Sequence, residues 1–194
     1  MLFRSHTVSV DFTVSDSTVQ GALFVFEAIG VVAFALSGVV AAVRARLDLV
    51  GVVVIALLTA LGGGTIRDLL LDRSPFFWVI HQEYLWIIIG LSVLGAMVLR
   101  SRHFDLTERA IQWPDALGLG VFAASGAQIA LQNGSSPLIA TMMGVITASV
   151  GGILRDVLLN KVPWTVASYQ HYAIIAFVGG WLVWGLNELG ASPA

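Results

Sequence analysis

Apolar residues come in six long runs, separated by short clusters of charged, glycine- and proline-rich sequence. A membrane-crossing helix needs about 20 mostly apolar residues. The runs that meet or approach this are Gly21–Val43, Leu49–Leu71, Tyr84–Leu99, Asp115–Leu131, Pro137–Leu159 and His171–Asn187. The first is ended by Arg44-Ala45-Arg46-Leu47-Asp48, and Asn133-Gly134-Ser135-Ser136-Pro137 is a turn signal. The longest polar connection, Ser101 to Gln112, divides the runs into three and three. The pattern predicts an all-α integral membrane protein with six spans. Its parts are a polar tail over 1–20, a first three-helix unit over 21–100, a connection over 101–112, a second three-helix unit over 113–187 and a short tail over 188–194.

The two units repeat each other. Gly62-Gly63-Gly64-Thr65-Ile66-Arg67-Asp68 is echoed 88 residues later by Val150-Gly151-Gly152-Ile153-Leu154-Arg155-Asp156. The same offset aligns Glu27-Ala28-Ile29-Gly30 with Asp115-Ala116-Leu117-Gly118. It also aligns Ser37-Gly38 with Ser125-Gly126, Thr59 with Thr147, Pro75 with Pro163 and Tyr84 with Tyr172. Apolar words match by chance in membrane proteins, so the glycine and polar identities carry the duplication. An odd number of spans per unit makes the second unit enter the membrane from the opposite side. The expected architecture is an inverted repeat, common among transporters and some channels.

Composition agrees with the patterning. The chain is 57% hydrophobic and 11% charged, against about 25% charged in soluble domains. A net charge of −2 gives no basic patch for nucleic acid. There is no cysteine, hence no disulfide framework and no thiolate chemistry. The first 20 residues lack the basic start and apolar core of a signal peptide. Arg44, Arg46, Arg100, Arg102, Arg109 and Lys161 fall on one side of the six-span arrangement, and Arg4 and Arg73 on the other. This bias places the amino terminus outside and the long connection in the cytoplasm of a multi-pass inner (plasma) membrane protein.

The chemistry-bearing positions cluster in the repeat. Gly62, Gly63, Gly64, Gly151 and Gly152 are expected to break or bend the second and fifth spans, since each glycine costs about 1 kcal/mol against alanine in a helix. Freed carbonyls at such a break can receive a cation, whereas the alternative use of the glycines is close helix packing. Arg67, Asp68, Arg155 and Asp156 follow as ionisable residues inside apolar spans, where such groups usually line an interior or a water path. Repeat symmetry suggests cross-pairing, Arg67 with Asp156 and Arg155 with Asp68; headgroup anchoring is the other reading. Ser37, Thr59, Ser125 and Thr147 are pore-neighbour candidates. Glu27 and Asp115 are read as opening their repeats, Asp115 at a helix start after Pro114. Gly30, Ala33, Gly118 and Gly120 are expected on helix-packing faces. No Ser/His/Asp set, metal-ligand cluster or phosphate loop is visible, so no enzyme, cofactor or metal is expected.

The doubled Gly-Gly-x-x-x-Arg-Asp segment, each copy followed by a proline, resembles the prokaryotic trimeric intracellular cation channel family, also catalogued in bacteria as a glycine transporter domain. Ser37-Gly38, Gly62 to Asp68 and Pro75-Phe76-Phe77-Trp78 look like its first half. Ser125-Gly126, Gly144 to Thr147, Gly151 to Asp156 and Pro163 look like its second. The resemblance implies a homotrimer with a pore in each subunit, glycine-kinked second and fifth helices around that pore, and conduction of monovalent cations, chiefly potassium. It also implies a seventh span, which this chain lacks after its sixth; a shortened chain is the expected cause. The charge set Arg67, Asp68, Arg155 and Asp156 is then structural or gating. The rival reading is a secondary transporter of a small amino acid such as glycine, its carboxylate held by a half-helix amino terminus.

Overall fold

The computed structural model describes residues 16–101, 109–163 and 172–188. Among the described residues seven helices follow one another: α1 (Asp16–Arg44), α2 (Leu49–Leu70), α3 (Phe77–Ile80), α4 (Glu83–Ser101), α5 (Arg109–Gln132), α6 (Pro137–Leu158) and α7 (Tyr172–Glu188). Among the described residues there is no strand. Each of the six long helices overlaps one of the six apolar runs, but α1 starts at Asp16, inside the expected tail, and α5 at Arg109, inside the expected connection; the one-turn α3 is additional. Arg4 and Arg102, most of the connection between the halves, and Trp164 lie outside the described residues.

Local sequence sets the helix ends. Asp48 caps α2, its carboxylate accepting from the Gly51 amide at 2.8 Å, and Pro137 opens α6 after Ser136, as a residue that needs no amide partner should. The C-termini repeat in kind. Asp72 and Asn160, 88 residues apart, take left-handed φ values of 53° and 54°, and Arg46 and Gly134 do the same at 58° and 79°. Each of these ends is closed by a bond from five residues on: Arg73 to the Asp68 carbonyl and Lys161 to the Asp156 carbonyl, both 2.8 Å. Such bonds occupy carbonyls that a helix end otherwise leaves open. One position departs from expectation. Asp115 does not start a helix, because α5 begins at Arg109 and carries Pro114 inside it.

Helices α1, α2, α5 and α6 form the centre. Helix α4 packs on α1 and α2, and α7 packs on α5 and α6. The contacts come in reciprocal pairs, the mark of a two-fold relation between halves. A Cβ on Gly30 would strike the Phe122 ring, and one on Gly118 would meet the Phe34 ring; Phe34 and Phe122 themselves meet at a tilt of 48°, centroids 5.3 Å apart. Gly38 backs onto Thr59 as Gly126 backs onto Thr147. These small residues bring the backbones together, the usual way helices associate where no hydrophobic effect drives them. Gly120 takes no part: it is exposed and a Cβ there would touch nothing.

The outer surface is apolar. Val50, Trp86, Met97 and Trp113 are all more than 60% exposed, while Arg67, Asp68, Arg155 and Asp156 are buried. That is the reverse of a soluble protein. Helix stretches Leu23–Arg44, Leu49–Leu70 and Pro137–Leu158 are long and apolar enough to cross a membrane.

Candidate functional site

Helices α2 and α6 cross at their glycines, and both are continuous helices through the crossing. The expected interruption of the helices at Gly62–Gly64 and Gly151–Gly152 is therefore not present. Its physical reason for being is met differently: the glycines remove side chains so that backbone can meet backbone. A Cβ on Gly63 would collide with the Thr147 carbonyl, and a Cβ on Gly151 with the Thr59 carbonyl. The other three glycines have different neighbours. Gly62 faces the tip of Leu154, Gly64 makes room for the Phe77 ring, and Gly152 lies beside Asp115 and Arg155.

The pairing of Gly63 with Thr147 and of Thr59 with Gly151 runs in opposite directions along the two helices. The helices are thus antiparallel at the crossing, and the two-fold axis relating the halves is perpendicular to them. For helices that span a bilayer, such an axis lies in its plane. Thr59 and Thr147 are fully buried at the contact. Their hydroxyls bond back to their own helices, to the carbonyls of Ile55 and Met143, both at 2.6 Å.

The antiparallel register also decides how the charges pair. Arg67 lies four residues beyond Gly63, level with Met143, and Arg155 is about 12 residues further along α6, some ~18 Å of helix rise away. The cross-pairs Arg67–Asp156 and Arg155–Asp68 are therefore out of reach and do not form. Each arginine instead pairs within its own half. Arg67, 1% exposed, donates from Nη1 to Glu27 Oε1 at 2.9 Å. Its Nε and Nη2 lie 2.9 and 2.8 Å from Asp68 Oδ1. Arg155, 2% exposed, donates from Nη1 to Asp115 Oδ1 and from Nε to Asp156 Oδ1 at 2.8 Å. Headgroup anchoring is excluded by this burial. The arginine's length lets its planar guanidinium turn back onto the adjacent aspartate while reaching a second carboxylate on another helix.

Glu27 and Asp115 thus sit inside α1 and α5 as arginine partners, a role the sequence reading did not give them. The signal was there: both are carboxylates, and the 88-residue offset superposes them as it does the arginines. The result is a tight central crossing flanked at either end by a buried ion cluster.

The clusters differ in their further bonds. In the second half, Ser37 reaches across from α1. Its hydroxyl donates to Asp115 Oδ1 at 3.0 Å and accepts from Arg155 Nη1. Its counterpart Ser125, 2% exposed, has no hydrogen-bond partner among the described residues. In the first half, Asp68 holds the α2–α4 connection. Its Oδ2 accepts from the Phe77 amide at 2.9 Å, and its Oδ1 lies 3.3 Å from Arg73 Nη1. The Phe77 ring lies beneath the Arg67 guanidinium, 5.4 Å from centroid to Cζ. Trp78 Nε1 donates to Thr65 Oγ1 at 3.1 Å. The second-half counterparts of Phe77 and Trp78 fall outside the described residues. Among the described residues no three His, Cys, Asp or Glu converge on a metal-sized site.

Comparison with known proteins follows this geometry. The family described as "Glycine transporter" matches twice, over residues 24–100 and 112–188, the same 88-residue offset. A membrane protein of Vibrio cholerae is 42% identical over 158 residues, covering 81% of this chain and 65% of the relative. This chain therefore spans about two thirds of that relative's length. The inner membrane protein YadS of Escherichia coli is 40% identical over 154 residues, covering 79% of this chain and 73% of that protein. The fold is similar to that of the trimeric intracellular cation channel orthologue from Rhodobacter sphaeroides, with a TM-score of 0.82 and 36% identity over 90% of this chain and 88% of that one. A second TRIC cation channel structure gives 0.73 and 34%, over 87% and 82%. With both halves matched and the relatives aligned across most of their length, the chain belongs to the trimeric intracellular cation channel family, whose bacterial members are also described as a glycine transporter family.

Proposed function

We propose that this chain is a monovalent cation channel, permeable to potassium, with a pathway in each subunit of a homotrimer. The observation that carries the reading is the α2–α6 crossing, in a fold shared with proteins described as cation channels. There the Thr147 carbonyl lies against Gly63 and the Thr59 carbonyl against Gly151. Parting the helices by a few ångströms would bare both carbonyls to a passing ion, and backbone carbonyls replace a cation's hydration shell. Ser37, Thr59, Ser125 and Thr147 are the polar neighbours of that pathway. Arg67, Asp68, Arg155 and Asp156 hold the helix ends on either side of it. The state described here, with backbone against backbone, is the closed one.

We place the protein in the inner membrane with its amino terminus outside, on the bias of Arg44, Arg46, Arg109 and Lys161. Reporter fusions after α4 and after α6 test this, and both should report cytoplasm. The function is tested by reconstituting the purified protein in a planar bilayer with a potassium gradient. Unitary currents carried by potassium are expected, and their absence together with saturable glycine uptake into proteoliposomes would overturn the channel reading. The carrier alternative is favoured by one observation, the description of the matching family. In that case the same crossing would gate access to glycine rather than conduct ions.

A further inference from the structure

The repeat makes Ser37 and Ser125 equivalent, yet they are in opposite states. Ser37 on α1 is bonded to Asp115 on α5 and to Arg155 on α6, so one hydroxyl ties the first half to the second. By the 88-residue offset Ser125 on α5 is the equivalent of Ser37, and Glu27 on α1 and Arg67 on α2 are the equivalents of its partners; its hydroxyl is buried with no hydrogen-bond partner among the described residues. Arg67 Nη2 is likewise buried without a well-directed acceptor, because Asp68 Oδ1, 2.8 Å away, is aligned with Nε instead. The Ser125 hydroxyl is idle, and Arg67 Nη2 has only its poorly directed ion pair with Asp68, so the two groups could satisfy each other. Buried polar groups are rarely left so unless another arrangement uses them.

A two-fold related pair of halves has two equivalent ways of being asymmetric. In inverted-repeat proteins, the second state is reached when one repeat moves against the other about a fixed site. We infer that Ser37 and Ser125 are the alternate latches of a two-state exchange: Ser37 engages Arg155 and Asp115 in the state described here, and Ser125 engages Arg67 and Glu27 in the other, with Ser37 released. The exchange breaks an α1–α6 tie and makes an α5–α2 tie, so it works across the Gly63–Gly151 crossing. It rests on the inverted repeat and holds whether the cargo is an ion or glycine.

Each latch is a hydrogen bond to a charged group, which shifts an equilibrium about 10- to 100-fold. Ser37→Ala should move the population that far toward the exchanged state, and Ser125→Ala that far away from it. The chain has no cysteine, so spin-label pairs can be placed freely. Leu69 with Leu117 and Val157 with Ile29 are equivalent pairs at exposed positions. Exchange turns the distance of one pair into that of the other. In liposomes, double electron–electron resonance should show Ser37→Ala moving each distribution toward the other pair's, and Ser125→Ala suppressing any such component. Identical distributions in wild type and both variants, or a shift of the same sign in both, would overturn the exchange. Should Ser37→Ala fail to fold, Ser125→Ala decides alone, since persistence of the wild-type minor component excludes Ser125 as a latch. Absence of unitary current with the label response intact would remove the channel reading and leave the exchange standing. Normal currents with unchanged label distances would do the reverse.

Discussion

The two buried ion clusters are built to one plan and finished differently. Both place an arginine between its own neighbouring aspartate and a carboxylate from the preceding repeat helix: Arg67 with Asp68 and Glu27, Arg155 with Asp156 and Asp115. The first cluster is tied outward, to the α2–α4 connection through the Phe77 amide and Arg73. The second is tied inward, to α1 through Ser37. The shared part is what a charge in an apolar span requires, since an arginine there needs full compensation. The divergent part is free to vary, and it is where the halves can acquire separate roles.

The largest expected effect tests the shared part. Arg67→Ala or Arg155→Ala leaves carboxylates buried without their cation, which costs about 3–5 kcal/mol. Thermal unfolding in detergent should show both variants strongly destabilised while membrane insertion is unchanged. Arg155→Ala also takes from Ser37 its guanidinium donor, and in Arg67→Ala the Asp68 carboxylate still accepts from the Phe77 amide. Two near-neutral variants would show that the clusters contribute nothing to the fold.

What could be read from the chain beforehand follows the physics of each feature. Helix positions were legible because apolar runs and turn residues are local signals, and the halves because an 88-residue offset superposes rare polar and glycine residues. The pairing of Arg67 was not, because it depends on register between distant helices. Sequence symmetry suggested that the halves exchange partners, but antiparallel crossing puts the clusters at opposite ends of α2 and α6. The glycines are expected to break or bend the helices, which run unbroken through them, because loss of side-chain support and close approach leave the same mark in a sequence. Only a neighbour such as the Thr147 carbonyl tells them apart. The short helix α3 was missed because Phe76-Phe77-Trp78 carries no periodicity, and its place is set by Asp68 and Gly64.

The crossing offers an intermediate effect and a check on symmetry. Gly63→Ala and Gly151→Ala each force a methyl against a backbone carbonyl that cannot turn aside, so the helices must part, at about 1–3 kcal/mol. The two variants should agree to within about 0.5 kcal/mol if the halves are equivalent there. Gly62→Ala should cost less than either, because it meets the rotatable tip of Leu154. Chemical unfolding of the three variants measures the order. Inequality between Gly63→Ala and Gly151→Ala would confine the two-fold likeness to the ion clusters.

The smallest effect belongs to the divergent part. Thr65 accepts from Trp78 Nε1 and itself donates to the Leu61 carbonyl at 2.7 Å, while Ile153, its equivalent, has no oxygen to offer. Thr65→Val keeps the shape and removes the acceptor, leaving an indole N–H half-buried and unbonded, for about 0.5–1.5 kcal/mol. Because a β-branched swap also changes rotamer preference and local helix bonding, the single variant is ambiguous. A double-mutant cycle with Trp78→Phe isolates the bond, and the two changes should couple by about 1 kcal/mol. Additive losses would mean that α3 is seated by the Phe77 ring on Gly64 and the Asp68 carboxylate alone, with Trp78 contributing only apolar contact.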